Sequence, residues 1–351
     1  MFRLLIEMLK LIVRMRTLSS ILTAAVLLCP ALSASALDDS AARKLAGHGD
    51  FVYCVGFSPD GKFLASGGED GRILIHDTAS GAAKTVLSGH SEPVSALAYS
   101  PDGNSLASVG ADGKLLRWNL LTHGLLFKAK PGRALGAVVF SPDGSRLAVG
   151  GDDGKIYLIS AGSGAPECEL SPADPSRVSA LAYSPDGSLL ISASFDGAVR
   201  VWSVREKRML KELGRHAQPA RAVWISESMV ISSGEDGDIK IWDLRSGSLV
   251  RTIKAHSAPV ESFVLSASGR SIISSGWDGA IRFWSVTGIK AGADIKTPES
   301  GVYSLSLSRD GRYLASSGPS REVRLWKLAV SEARGGLMGK LQSAGEKMLG
   351  R

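Results

Sequence analysis

Short runs of alternating apolar and polar residues, separated by turn-forming residues, recur along this chain. One stretch shows the pattern clearly: residues 94–99 form an apolar-rich run, SPDG follows at Ser100, residues 105–109 form a second run, ADG intervenes, and residues 114–118 alternate again. Period-2 alternation over five or six residues predicts strands, and Asp-Gly pairs suit the tight hairpins between them. A fourth, weaker strand follows the third, as in 83–87 and 249–253.

The same unit returns at a nearly fixed interval. SPDG stands at Ser58, Ser100, Ser141 and Ser184, with SASG at Ser266 and SRDG at Ser308. Asp-Gly followed by alternating apolar residues begins at Asp70, Asp112, Asp153, Asp196, Asp236 and Asp278, with gaps of 42, 41, 43, 40 and 42 residues. One further step reaches Ser320 in GPSREVRLW, where the flanking pattern persists without the aspartate. A four-stranded unit cannot bury its faces alone, so seven copies predict an all-β, seven-bladed propeller of antiparallel sheets. The segment 42–45 precedes the first copy, and the last copy ends after its third strand. The N-terminal strand is therefore expected to join the last blade and close the ring, which removes exposed sheet edges.

At these residues the chain resembles the WD-repeat family, over residues 42–328. Gly-His pairs occur at Gly47-His48 and Gly89-His90, with His216 and His256 in matching slots, and Trp118, Trp202, Trp242, Trp284 and Trp326 occupy the family's tryptophan position. The resemblance implies a hydrogen-bonded set of His, Ser, Asp and Trp within a blade. Carried over, it gives three complete sets: His90, Ser108, Asp112 and Trp118; His216, Ser232, Asp236 and Trp242; His256, Ser274, Asp278 and Trp284. Blade one has His48, Ser66 and Asp70 but His76 in place of the Trp, and blade three keeps only Asp153, so apolar packing is expected to hold it. SPDG also recurs in other propellers, such as TolB-like proteins and the propellers of some peptidases. The terminal Trp and the Gly-His histidines favour the WD-repeat likeness.

Residues 1–36 read differently. Arg14 and Arg16 precede the apolar run 18–28, Pro30 breaks it, and Ala34-Ser35-Ala36 offers small residues at a cleavage site. This is the layout of a secretory signal, with cleavage expected after Ala36 and an uncleaved anchor as the alternative. Export, most simply to the periplasm, follows. The domain reading is a signal peptide at 1–36, the propeller at 42–328, and a tail at 329–351 whose scattered apolar and basic residues could touch a partner or an anionic membrane. Removing 1–36 lowers the net charge from +7 to +4. The remaining Lys and Arg are spread singly through turns, which argues against nucleic acid as a partner.

Little reactive chemistry is left over. Four of six histidines fill the Gly-His slots, leaving His76 and His123 without a metal-ligand pattern, so neither a metal nor a cofactor is implied. GxSxG, GxxxxGK followed by Ser or Thr, and CxxC patterns are missing from the sequence. The acid pairs Glu69-Asp70, Asp152-Asp153 and Glu235-Asp236 each end in a turn aspartate, which makes them structural. Cys54 and Cys168 read as small buried hydrophobes on different strands rather than as a disulfide.

The expected function is therefore binding rather than catalysis, by a monomeric scaffold that recognises a protein or peptide. A small-ligand-binding or hydrolytic propeller using the central channel is the alternative. In the family, the residue before the turn aspartate and those flanking the opening position of the first strand present the top face. These slots give Phe51, Tyr53, Arg177, Phe195, Arg221, Trp277 and Tyr303, accompanied by Glu69, Glu235 and Glu261. Aromatic residues beside arginine are the composition of an interface hot spot.

Overall fold

The structure, a computed structural model, describes residues 39–328. They form seven four-stranded antiparallel sheets, preceded by one short 3-10 turn at Asp39–Ala41. Blade one is typical, with strands Val52–Phe57, Phe63–Gly68, Arg72–Asp77 and Ala83–Ser88 in chain order from the centre outward. The first strand of each blade touches that of the next, and the seventh touches the first, so the ring is closed around a channel.

Closure uses both ends of the propeller. Ser304–Leu307, Tyr313–Ser317 and Val323–Lys327 make the inner three strands of blade seven, and Arg43–Leu45 supplies the outermost. The pairing is Arg43 with Leu325, Lys44 with Arg324 and Leu45 with Val323. Leu45 then joins Val52, Val55, Leu64, Ala315, Val323 and Leu325 in one apolar cluster across the seam. Burying a leucine in this way contributes about 2 kcal/mol, which helps to offset the ordering of a terminal strand.

The other clusters also straddle neighbouring blades. Ala107, Val109 and Leu115 of blade two pack with Leu135, Leu147, Val149 and Ile159 of blade three. The middle strands are buried on both faces for this reason, as in Ser105–Gly110, whereas outer strands such as Leu249–Lys254 face solvent. Cys168 lies on one of these outer strands, where it packs on the core cluster of Leu158, Tyr183 and Trp202 but is half-buried, not sequestered as expected, because the outermost strand is open to solvent along its free edge. Cys54 is buried, and burial pushes its thiol up to about 12. Both thiols are free.

Turn chemistry sets the blade geometry. In the SPDG turn of blade one, the Ser58 hydroxyl donates to Asp60 at 2.6 Å and accepts the Phe63 amide at 2.9 Å. The turn after the middle strand needs glycine: Gly113 has φ +74°, and a Cβ there would lie 2.3 Å from the Arg133 carbonyl oxygen.

Innermost strands share one irregularity that matters for the mouth of the channel. In blades one to six, pairing with the second strand skips one residue near the top: Tyr53, Ser95, Gly136, Ser179, Arg221 and Glu261 in turn. A β-bulge of this kind turns a side chain away from the regular pleat. Tyr303 occupies the corresponding place in blade seven, and all seven residues line one central cavity.

Candidate functional site

Two kinds of site compete for the polar residues, one inside the blades and one at the channel mouth. Inside blade five, Trp242 Nε1 donates to Ser232 Oγ at 2.9 Å, His216 Nε2 lies 2.8 Å from the same oxygen, and His216 Nδ1 lies 2.9 Å from Asp236. One assignment satisfies every group: the indole donates to the hydroxyl, the hydroxyl to Nε2, and Nδ1–H to the carboxylate. Blades two and six repeat it through Trp118, Ser108, His90 and Asp112, and through Trp284, Ser274, His256 and Asp278. Burial favours neutral imidazole and lowers the pKa of His90 and His256. It also opposes ionisation of Asp236 and Asp278, but hydrogen bonds from His216, and from Arg282 and His256, overcome this and hold both carboxyls at about 2.

The incomplete blades keep the aspartate satisfied by other donors. In blade one, His48 bridges Ser66 and Asp70, while His76 in the tryptophan slot turns to the Ala46 carbonyl at 3.4 Å. Blade three adds one polar contact to the apolar packing expected of it: the Tyr157 hydroxyl donates to Asp153 at 2.5 Å. In blade four the buried Arg200 pairs with Asp196, and Trp202 still reaches Ser192 at 2.9 Å. Tyr157, Arg200, Lys240 and Arg282 all stand four residues after the turn aspartate and point back to it. Sequence reasoning missed this slot, although its fixed spacing was a readable signal.

At the mouth, a cavity of about 580 Å3 is lined by Tyr53, Arg177, Phe195, Arg221, Glu261, Trp277 and Tyr303 among others. Six of the seven residues expected at a partner site are thus brought together. Phe51 is not among the lining residues; it is 42 % exposed, and the Glu69 amide donates to its carbonyl at 2.8 Å.

In blades one, five and six the bulge residue is joined to the residue before the turn aspartate. Tyr53 donates to Glu69, Arg221 pairs with Glu235, and Glu261 accepts from Trp277 Nε1 at 3.2 Å. These bonds divide the mouth in two. On the side of blades four and five, Arg177 and Arg221 both lie against Phe195, 4.7 and 4.8 Å from its ring centroid, and Arg177 also meets Asp152 at 3.0 Å. On the side of blades six, seven and one, Tyr303 stacks on Tyr53 at 5.9 Å and meets Trp277 at 6.5 Å. Burial, with Glu261 beside it, raises the pKa of Tyr303 and keeps the phenol neutral. At blades two and three the bulge residues are Ser95 and Gly136, which put little side-chain bulk into the cavity.

Such a molecule is a propeller scaffold: a rigid ring whose internal polar network is committed to structure and whose displayed residues crowd one end of a channel. Family models agree with that class. One described as IFT122 first beta-propeller matches residues 31–285, and one described as WD domain, G-beta repeat matches residues 292–327. The chain belongs to the WD-repeat β-propeller family, whose members are typically non-catalytic scaffolds for protein–protein interaction. No curated protein matches it. Among the described residues, no group of His, Cys, Asp and Glu could hold a metal ion, and no helix is long and apolar enough to cross a membrane. The signal and tail assigned to 1–36 and 329–351 lie outside the described residues.

Proposed function

We propose that this protein is a non-catalytic, monomeric scaffold of the cell envelope that binds a protein or peptide at the channel mouth. The observation that carries the reading is the convergence of Tyr53, Trp277 and Tyr303 with Arg177 and Arg221 on one cavity, with Trp277 48 % exposed. Aromatic and arginine side chains over a concave surface, rimmed by polar groups, are what interface hot spots require. Export is supported by the signal-like layout of residues 1–36.

A small-ligand reading has one observation in its favour, since the cavity volume falls within the range of ligand pockets. Its two arginines are already paired with Asp152 and Glu235, and no histidine lines it, so a peptide side chain is the better occupant. Crosslinking in the native envelope followed by mass spectrometry tests the proposal, comparing wild type with Trp277→Ala/Tyr303→Ala. Specific partners are expected to disappear in the double variant. A partner set identical to wild type removes the reading.

A further inference from the structure

We propose that the aromatic half of the mouth, Tyr53, Tyr303 and Trp277 beside the Glu261 carboxylate, takes a cationic side chain, arginine or lysine, from the partner. The inference rests on the mouth being the partner-binding face. Its first support is the ring arrangement: Tyr53, Tyr303 and Trp277 come from three consecutive blades and form a continuous row, with Tyr303 in the middle. An aromatic face attracts a cation, most strongly where water is partly excluded. Among the described residues, both arginines of the mouth rest on Phe195, and no cation lies over the other three rings.

Charge gives the second support. Asp152 meets Arg177 and Glu235 meets Arg221, so the two cations are matched by two anions. Two carboxylates remain at opposite ends of the ring row. Glu69 is held by the Tyr53 hydroxyl, and Glu261 by the Trp277 indole at 3.2 Å and a share of Arg221 at 3.5 Å, with Arg177 acting from farther off. Burial pushes the Glu261 carboxyl above its ordinary range despite Arg221, so the anion is under-compensated where it sits. A guanidinium or ammonium group entering beside Trp277 would supply the missing charge, whereas an acidic segment would meet Glu261 and Glu69. The small residues Ser95 and Gly136 in the cavity wall put little bulk in the way of the chain that carries it.

The test uses N-acetyl-arginine methylamide and its lysine counterpart against neutral N-acetyl-citrulline methylamide and acidic N-acetyl-glutamate methylamide. Each is titrated into the 15N-labelled protein while the Trp277 indole resonance is followed, that resonance being identified by its loss in Trp277→Phe. A saturable shift is expected with arginine or lysine, at least tenfold weaker with citrulline and glutamate, and at least fivefold weaker in Glu261→Gln. The indoles of Trp242 and Trp284, buried within blades, should stay in place and report an intact fold. Equal response to citrulline, an unchanged response in Glu261→Gln, or no saturable shift with either cation overturns the proposal. If the cation probes fail while envelope partners are still lost from Trp277→Ala/Tyr303→Ala, the mouth is a binding face of different chemistry. If that variant keeps its partners, the mouth itself is the wrong face.

Discussion

Adjacent serines in blade five allow the internal network to be weighed against an almost perfect control. Ser232 and Ser233 are consecutive residues of the middle strand Met229–Gly234, and both are fully buried. Ser232 Oγ joins Trp242 at 2.9 Å to His216 at 2.8 Å, while Ser233 Oγ has no hydrogen-bond partner. Changing either to alanine deletes the same single oxygen from the same depth. At Ser232 the deletion strands two buried groups, the indole N–H and the imidazole Nε2. Each orphan costs about 1–3 kcal/mol, so the expected loss for the two is roughly 2–6 kcal/mol. At Ser233 it removes an unsatisfied hydroxyl, and the variant should be neutral or slightly more stable than wild type.

For a ring of this size roughly 2 °C of melting temperature accompanies each kcal/mol, which places Ser232→Ala about 4–12 °C below wild type. Thermal unfolding followed by far-ultraviolet circular dichroism, with urea midpoints as a second measure, gives the comparison. Near-ultraviolet signals should also change selectively in Ser232→Ala, because Trp242 loses its anchor. Equal shifts for the two variants would refute the argument, since cavity formation alone would then account for both.

Acidification should destabilise the ring in two stages. Burial lowers the pKa of His76, His90 and His256, so the unfolded chain takes up their protons first and stability falls as pH drops below about 6.5. The depressed carboxyls of Asp112, Asp236 and Asp278 add stability above about 4 that is lost as pH falls toward 2; urea midpoints flat between pH 7 and 5 would rule out the first stage. At the seam, Arg324 is buried and pairs with Asp39 and with Glu299 at 2.5 Å. Arg324→Met strands both carboxylates and should cost about 3 kcal/mol, with faster amide hydrogen exchange at Lys44 and Leu45; unchanged protection there would show that the seam does not depend on this ion pair.

Repeat spacing made the fold readable because each strand and turn is encoded within a few residues and seven copies reinforce one another. SPDG and Asp-Gly turns need a hydroxyl, a carboxylate and a positive-φ glycine in fixed order, so their loss in one copy does not hide the rest. The channel mouth was readable for a related reason. Bulge residues sit next to the buried opening residue of each first strand, so Tyr53, Arg221, Glu261 and Tyr303 could be placed by counting, although the bulge itself leaves no mark in the sequence. Phe51 occupies a flanking slot as well; it is exposed but does not line the cavity.

The donors four residues after four of the turn aspartates escaped because Arg200, Lys240 and Arg282 look like ordinary polar positions in an alternating strand. Only burial distinguishes Arg200 from a solvated charge. Blade seven shows why this slot matters most where the repeat is most worn. Ser320 has replaced the turn aspartate, yet Arg324 still fills the slot four residues later. A buried guanidinium without a carboxylate would be strongly unfavourable. Its partners come instead from Glu299, ahead of the blade's first strand, and from Asp39, 285 residues back along the chain. Moving the acid out of the turn therefore makes the last blade's charge balance depend on the N-terminal segment. The strand that seals the ring through backbone pairing is held by the same arginine that the missing aspartate would otherwise have neutralised.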